Sequence, residues 1–209
     1  MQVHRMAVGP METNCYIIAD EKTNEGAVID PGADGSLILD KIETLGIKLQ
    51  YILLTHTHYD HIGAVAQLKR ATGAKLAVSE EDAAGLTDGR WNLSAYGGSP
   101  VEAAEADILL KDGDELLWGR DGKQSIQVLS TPGHTKGGVC FLCGGELFSG
   151  DTLFAGSVGR SDFPGGSMDT LVQSIKTKLM PLDDGVRVYP GHGPTTTIGR
   201  ERAGNPYIQ

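Results

Sequence analysis

Short apolar runs, separated by polar turns, follow one another along most of the chain. Runs of this kind, bounded by glycine, proline and aspartate, are typical of β-strands. The pattern predicts strands over residues 3–8, 15–19, 27–29, 49–54, 75–78, 108–110, 115–118, 125–129, 138–143, 146–148 and 186–189. We therefore expect a chain that is rich in β-structure.

Helical periodicity appears between some of these strands. Apolar residues from Leu37 to Leu45 recur at helical spacing, and Gly46 is a suitable helix stop. Further helices are predicted over residues 62–70, 80–86 and 168–180. Residues 87–106 show no regular period, and such a long connection predicts a functional loop. Because 209 residues suit one compact domain, we expect a single α/β domain spanning residues 1–209.

Composition and charge exclude several classes of protein. The chain is 40% hydrophobic and 22% charged, and no apolar run is long enough to cross a membrane. Its formal charge of -9 argues against a nucleic-acid-binding surface. The first residues lack the charged head, apolar stretch and cleavage site of a signal peptide. We therefore expect a cytoplasmic protein with neither a membrane nor a nucleic acid among its partners.

The three cysteines are expected to be reduced thiols. Cys140 and Cys143 form a CxxC pattern, but both fall in a predicted strand. Residues three apart on a strand face opposite sides and lie about 10 Å apart along it. A disulfide would require the strand to bend sharply, so we interpret both residues as core thiols.

The densest group of reactive side chains follows the predicted strand 49–54. His56, His58, Asp60 and His61 fall within six positions. In an extended chain His56 and His58 point to the same side, and Asp60 suits the first turn of a following helix. Imidazole and carboxylate suit zinc, iron or manganese, and the lack of cysteine argues against a closed structural zinc site. The segment therefore predicts an open, catalytic metal site.

Three further metal-ligand candidates follow predicted strands elsewhere. His134 and His192 each come after a strand and a Pro-Gly pair, and Asp151 follows the strand 146–148 in the same manner. Five of the six histidines thus fall in these segments or in the first group. A single histidine after a strand is often only a turn residue, but the repeated context predicts ligands. These side chains supply what a second metal ion would need.

This ordered set of motifs resembles the metallo-β-lactamase superfamily over nearly the whole chain, from Asp30-Pro31-Gly32 to Gly191-His192-Gly193. The resemblance implies an αββα sandwich of two mixed β-sheets with outer helices, and a site along one edge. It implies the following ligands: His56, His58 and His134 for a first metal, Asp60, His61 and His192 for a second, and Asp151 bridging both. Asp30 would support the site through hydrogen bonds to ligating imidazoles.

Within that superfamily the chain is most similar to glyoxalase II-like hydrolases of the short bacterial type, which cleave the thioester S-lactoylglutathione. The similar segments include residues 131–135, 148–154 and 159–163. Full-length glyoxalase II has a C-terminal helical extension with basic residues for glutathione, whereas this chain ends soon after its last ligand. In the loop after the bridging aspartate, Arg160 fits the family's basic position, but Asp162 stands in place of its tyrosine.

The expected reaction is metal-dependent hydrolysis of a thioester. Two divalent ions, zinc first and iron or manganese as alternatives, would share Asp151 and a bridging hydroxide that attacks the carbonyl. Asp60 would orient that nucleophile and take its proton. Arg160 is a candidate for binding a substrate carboxylate, since a guanidinium can contact one through two hydrogen bonds. No Gly-x-Ser-x-Gly motif supports a serine hydrolase.

Other functions stay open at the level of sequence. A persulfide dioxygenase of the same superfamily would hold a single iron with residues matching His56, His134 and Asp151, and its loop also resembles residues 159–163. A lactonase, or a binding module whose metal is only structural, would keep the same motif. Hydrolysis of β-lactams is not expected, because the resemblance is strongest to thioester hydrolases and no secretion signal is present.

Overall fold

The protein is described by a computed structural model over residues 1–97, 100–119 and 124–209. The strands are β1 Gln2–Val8, β2 Thr13–Ala19, β3 Glu25–Ile29, β4 Lys48–Leu53, β5 Lys75–Ser79, β6 Ile108–Leu110, β7 Glu115–Trp118, β8 Gln124–Ser130, β9 Val139–Cys143, β10 Glu146–Gly150, β11 Leu153–Phe154, β12 Ser157–Val158, β13 Arg187–Pro190 and β14 Thr196–Thr197. The α-helices are α1 Gly35–Leu45, α2 Tyr59–Ile62, α3 Val65–Thr72, α4 Met168–Ser174 and α5 Ile198–Gly204. Short 3-10 helices span Ala83–Leu86 and Ser94–Tyr96, and a π-helical turn, Ile175–Leu179, continues α4.

The strands form two six-stranded sheets and a two-stranded ribbon, β11-β12. The first sheet has the order β1-β2-β3-β4-β5-β6 and is antiparallel up to β3 and parallel beyond it. The second has the order β14-β13-β10-β9-β8-β7 and is antiparallel except for the parallel pair β10–β13. Parallel neighbours need crossover connections, and these carry α1 and α3 onto the first sheet.

Alternation along the strands divides the core into three apolar layers. On β2, Tyr16 and Ile18 pack between the two sheets, whereas Ile17 packs against α1 and α3. All of β2 is buried, as expected for a strand that is covered on both faces. A third cluster joins the second sheet to α4, its π-helical continuation and α5. The predicted αββα sandwich of two mixed sheets is confirmed.

The cysteines follow the same alternation. Cys140 packs on the helix side of the second sheet, whereas Cys143 packs between the two sheets. Both are free and buried, as is Cys15. Burial raises the pKa of the Cys140 and Cys143 thiols to about 11. The prediction of core thiols rather than a disulfide is confirmed.

The predicted helix over residues 62–70 is interrupted in the structure. Gly63 and Ala64 separate α2 from α3, and the Ala64 N–H donates to the carbonyl oxygen of Pro31, at 2.9 Å, in the neighbouring loop that also contains Gly32. A Cβ atom on Gly63 would overlap the carbonyl oxygen of Gly32. The loop that contains Gly32 therefore lies closer to this segment than a side chain at position 63 would allow.

Other differences concern short or irregular segments. The predicted helix 80–86 forms only a 3-10 helix at Ala83–Leu86, and the predicted helix 168–180 loses its regular hydrogen bonding after Ser174. The ribbon strands, β14 and α5 are not predicted, because such short segments carry no readable period. The segment 87–106 is irregular apart from Ser94–Tyr96, and its residues 98 and 99 lie outside the described ranges. Within those ranges no helix combines the length and the apolar character needed to span a membrane.

Candidate metal centre

The predicted ligands lie at or just after the ends of strands, along one edge of the sandwich. Residues 56–61 follow β4 and Asp30 follows β3 in the first sheet, while His134, Asp151 and His192 follow β8, β10 and β13 in the second. Within each sheet these strands point in the same direction, so their carboxyl ends meet at the same edge. The structure thereby brings all the predicted ligands together.

The first group of ligands consists of three buried histidines, His56, His58 and His134. Their ring centroids are 4.6 to 4.7 Å apart, and the rings stand almost perpendicular to one another. His134 Nε2 lies 2.9 Å from His58 Nδ1. One ring nitrogen from each residue can therefore reach a common point, as a single metal ion requires.

The second group contains Asp60, His61 and His192. Asp60 Oδ2 lies 3.5 Å from His61 Nε2 and 3.2 Å from His192 Nε2. The two imidazole rings are 5.5 Å apart between centroids. This group offers carboxylate and imidazole donors that would suit a second ion.

Asp151 lies between the two groups. Its Oδ1 is 3.5 Å from His61 Nε2, and its Oδ2 is 3.5 Å from His134 Nε2. Oδ2 also lies 3.7 Å from His192 Nε2. The carboxylate therefore faces ligands of both groups, and the His/Asp cluster as a whole suits a dinuclear metal site.

Three buried polar atoms of the cluster test whether a metal fits. His56 Nε2, His61 Nε2 and Asp151 Oδ1 have no hydrogen-bond partner among the residues that the structure describes. Buried polar atoms are nearly always satisfied, so converging unpartnered atoms require an explanation. A divalent ion would satisfy them, and nitrogen and oxygen donors suit zinc, iron or manganese.

Asp30 orients two of the histidines, His61 directly and His56 through Thr55. Its Oδ2 lies 2.9 Å from His61 Nδ1, and its Oδ1 and Oδ2 accept hydrogen bonds from the Thr55 N–H at 2.8 Å and the Thr55 hydroxyl at 2.6 Å. Thr55 Oγ1 in turn lies 3.1 Å from His56 Nδ1. With their Nδ1 atoms engaged in this way, His56 and His61 direct Nε2 toward the cluster.

Charge within the cluster is distributed unevenly in the absence of metal. Burial and the neighbouring His134 lower the pKa of His58 to about 3, and burial also lowers the pKa of His56 well below its usual range. Burial opposes protonation of His61 too, but the carboxylates of Asp60, Asp151 and Asp30 outweigh it and raise the His61 pKa to about 10. His56 and His58 are thus neutral and ready to bind a cation, while His61 carries a proton that a cation would replace.

Asp60 is held in its ionised form. Burial alone would raise the pKa of this carboxyl group, but the charge of His61 and the hydrogen bond with His192 hold it well below its usual range. The Thr13 hydroxyl adds a hydrogen bond to Asp60 Oδ2 at 3.0 Å. Sequence reasoning did not identify Thr13, although a Thr-Asn pair at the start of an apolar strand was a signal that could have done so.

Arg160 contacts the site through its backbone. Its carbonyl oxygen accepts a hydrogen bond from His134 Nδ1 at 2.6 Å, which leaves His134 Nε2 free to bind a metal. Its guanidinium group is paired with both carboxylate oxygens of Asp162, at 2.7 Å each, and lies 4.0 Å from the centre of the Phe163 ring. The predicted substrate-binding group is therefore already engaged by Asp162.

An open groove adjoins the first ligand group. Phe163 packs edge-on against His58, with the ring centroids 5.6 Å apart. The groove measures about 480 Å³, and among the described residues its lining consists of Tyr59, Leu93, Tyr96, Gly97, Phe163 and Pro164. Its walls are therefore mostly aromatic and apolar, and its volume suits a small molecule.

Comparisons with known proteins agree with this geometry. The family model of the metallo-beta-lactamase superfamily matches residues 8–192. Hydroxyacylglutathione hydrolase GloC from Haemophilus influenzae is 37% identical over 211 residues, an alignment that covers 100% of this chain and 98% of GloC.

Solved structures show the same fold. BLEG-1, a B3 metallo-beta-lactamase, has a TM-score of 0.93 and 34% identity, with 100% of both chains covered. TTHA1623 in a di-iron-bound form has a TM-score of 0.82 and 36% identity, covering 98% of this chain and 100% of its own. ETHE1 from Myxococcus xanthus has a TM-score of 0.82 and 31% identity, covering 99% and 84% respectively. With this family match, this fold and this cluster of histidines and aspartates, the chain belongs to the metallo-beta-lactamase superfamily.

Proposed function

We propose that the protein is a metal-dependent hydrolase that cleaves glutathione thioesters such as S-lactoylglutathione. The main support is the position of Asp151, which lies 3.5 Å from ligand nitrogens of both groups. A shared carboxylate suits two ions close together, an arrangement that many hydrolases use. The 37% identity with a hydroxyacylglutathione hydrolase supports a glutathione thioester as the substrate.

The proposed cofactor is a pair of divalent ions, with zinc as the first choice and iron or manganese as alternatives. The proposed ligands are His56, His58 and His134 for one ion, Asp60, His61 and His192 for the other, and Asp151 for both. When bound, such ions lower the pKa of a coordinated water and polarise a carbonyl group. The di-iron form of TTHA1623 supports a two-ion site but leaves the metal of this chain open.

Asp60 is the residue that we assign to the nucleophilic water. Its low pKa keeps it ionised at neutral pH, so it can accept a hydrogen bond from that water and orient it. The hydroxyl of Thr13 fixes the carboxylate by donating to Oδ2. Asp60 would then receive the water's proton as the carbon–oxygen bond forms.

The leaving group also favours a thioester. In the proposed site all five histidines are ligands, so none is free to protonate a departing alkoxide or amine. A thiol has a pKa of about 8.5 and leaves readily as the thiolate without a general acid. This site could therefore cleave a thioester without a general acid, whereas an ester or an amide would call for one.

The groove beside His58 supports a small-molecule substrate. Its volume of about 480 Å³ lies within the usual range for ligand pockets, and Phe163 connects its wall to the first ligand group. Arg160 lies over the same Phe163 ring, so we keep it as the proposed contact for a glutathione carboxylate. To make that contact, the substrate would have to compete with Asp162.

The proposal is tested by steady-state hydrolysis of S-lactoylglutathione. We expect the zinc-loaded protein to turn this substrate over, a chelator to abolish turnover and added zinc to restore it. His58→Ala should lose activity while the protein stays folded, because the residue lies at the edge of the core and not within an apolar cluster. Wild-type turnover in this variant would contradict the metal mechanism.

A second candidate function is that of a mono-iron persulfide dioxygenase, with His56, His134 and Asp151 as the iron ligands. The similarity to ETHE1 from Myxococcus xanthus supports it. One iron per chain, together with oxygen uptake in the presence of glutathione persulfide, would overturn the hydrolase proposal. The similarity to BLEG-1 makes a β-lactam a necessary comparison substrate, and an acyl-homoserine lactone would test lactonase activity.

A further inference from the structure

We infer that each ligand group has its own positioning residue outside the ligand motifs, Asn14 for the group with His192 and Asp82 for the group with His134. Neither residue contacts a metal-ligand atom directly. Each acts through the backbone or hydroxyl groups of a ligand-bearing loop. The inference rests on the proposed two-metal site and is independent of the identity of the substrate.

Asn14 holds the loop that contains His192 in place through hydrogen bonds. It is fully buried on β2, and its side-chain amide donates to the carbonyl oxygens of Pro190 at 2.9 Å and Gly193 at 3.0 Å. Arg5 Nε donates to Asn14 Oδ1 at 2.7 Å, which fixes the amide so that its NH2 group faces the loop. The two accepting carbonyls lie on either side of His192, so the amide fixes both ends of that short segment.

Further bonds from the same strand reach this group. The backbone N–H of Asn14 donates to the Gly191 carbonyl at 2.7 Å, and the Tyr16 hydroxyl donates to the Pro190 carbonyl at 2.7 Å. Thr13 donates to Asp60, as described above. β2 therefore holds the loop of one ligand and the carboxylate of another, although it carries no ligand itself.

Asp82 plays the corresponding part for the first group. It is buried, and its Oδ2 accepts a hydrogen bond from the Thr135 hydroxyl at 2.7 Å. Its Oδ1 accepts one from the Gly137 N–H, also at 2.7 Å. Because Thr135 follows His134 directly, the carboxylate fixes the turn from which that imidazole projects.

The backbone of Asp82 extends this support to the other two histidines of the group. Its carbonyl oxygen accepts a hydrogen bond from the Thr57 hydroxyl at 3.0 Å, and Thr57 lies between the ligands at positions 56 and 58. Gly85 packs so closely here that a Cβ atom on it would overlap Thr57 Oγ1. Asp82 thus joins the loops of all three histidines.

The two positioning residues act on separate parts of the site. Asn14 forms hydrogen bonds with residues 5, 190, 191 and 193, whereas Asp82 forms them with residues 57, 79, 85, 135 and 137. Substitutions without shared partners have largely independent effects. Loss of a group that orients a metal ligand typically weakens metal affinity about 10- to 100-fold. Each substitution should therefore weaken one metal position and spare the other.

The test is a titration of the metal-free protein with Zn²⁺ against a chromophoric chelator, which resolves two affinities in the wild type. His192→Ala and His134→Ala identify which affinity belongs to which group. Asn14→Asp keeps the shape of the side chain and its contact with Arg5. It replaces the donating NH2 group by an oxygen that faces the carbonyl oxygens of Pro190 and Gly193. We expect it to weaken, by about 10- to 100-fold, only the affinity that His192→Ala removes.

Asp82→Ala should weaken only the affinity that His134→Ala removes. Should this variant fail to fold, as judged by thermal unfolding without metal, Thr135→Val removes the same hydrogen bond with less disturbance, and Thr135→Ser should restore wild-type affinity. Equal weakening of both positions, or no change, in Asn14→Asp or in the Asp82 and Thr135 variants would overturn the inference. A wild type that binds only one Zn²⁺ would overturn the two-metal proposal and this inference together, whereas unselective variants of a two-zinc wild type would overturn the inference alone.

Discussion

His61 Nδ1 lies 2.9 Å from Asp30 Oδ2, and both side chains are buried. On the other side of the ring, Nε2 faces Asp60 and Asp151 at 3.5 Å each. This one imidazole is therefore surrounded by three carboxylates. Without metal a proton on His61 partly balances their charge, and with metal the cation would take over that role.

A pH dependence of the metal-free protein follows from this arrangement. Burial opposes the charge on His61, but the three carboxylates raise its pKa to about 10, above the value of about 6.5 in an unfolded chain. A raised pKa stabilises the folded state fully below pH 6.5, and that stability is lost as the pH rises toward 10. We expect the free energy of unfolding in urea to fall by about 1 kcal/mol per pH unit between pH 7 and 9. His61→Gln should remove this slope, and an identical slope in both proteins would contradict the assignment.

Gly191→Ala should disable the metal centre. A Cβ atom at this position would overlap Asp151 Oδ1 and lie 2.8 Å from His61 Cε1, so it would displace the proposed shared carboxylate and a histidine of the second group. We expect zinc content to fall and hydrolysis to drop by about 100-fold or more, which corresponds to roughly 3 kcal/mol. Gly204→Ala, at a position with open space around it, is the matched control and should behave like the wild type. Normal zinc content in Gly191→Ala would contradict this prediction and would show that the backbone shifts to make room for the added methyl group.

Asp162 should compete with the substrate for the guanidinium group of Arg160. The two side chains form a paired contact at 2.7 Å, and both are exposed to solvent. Because an exposed ion pair is only weakly stabilising, Asp162→Asn should lower KM for S-lactoylglutathione by about two- to fivefold with little change in kcat. Combining it with Arg160→Met should cancel the gain. An unchanged or higher KM in Asp162→Asn would exclude Arg160 as a substrate contact.

The buried cysteines should resist alkylation in the native protein. Burial raises the pKa of both Cys140 and Cys143 to about 11, so at pH 8 almost none of either thiol is present as the reactive thiolate. We expect iodoacetamide to modify them only in the presence of denaturant, as measured by intact mass. Rapid loss of both thiols without denaturant would show that the second sheet opens readily.

The sequence was sufficient to predict that these histidines and aspartates lie together, because they are next to recognisable features. The strands that precede the proposed ligands were predicted from their apolar runs, and each proposed ligand lies within a few residues of the end of such a strand or in the turn that follows it. Asp151, for example, follows the run that forms β10. The ends of strands that run in the same direction meet at one edge of a sheet. This explains why residues 17 to 136 positions apart, such as Asp151 with His134 and His192 with His56, lie in one cluster.

The proposed positioning residues Asn14 and Asp82 could not be predicted in the same way. Asn14 and Asp82 contact loops far away in sequence, and a single buried polar residue gives no periodic signal. The break in the helix at Gly63 likewise depends on the close approach of Gly32 from another loop. Local patterns predict elements and motifs, whereas contacts between distant loops become visible only in the folded chain.

The central claim is that two metal ions in this site support hydrolysis of a glutathione thioester. The most direct measurement is to add Zn²⁺ stepwise to the metal-free protein while recording both bound zinc and the hydrolysis of S-lactoylglutathione. Turnover should rise steeply as the second zinc binds, and His192→Ala should abolish this rise. Full turnover with one zinc per chain, or none with two, would contradict the claim.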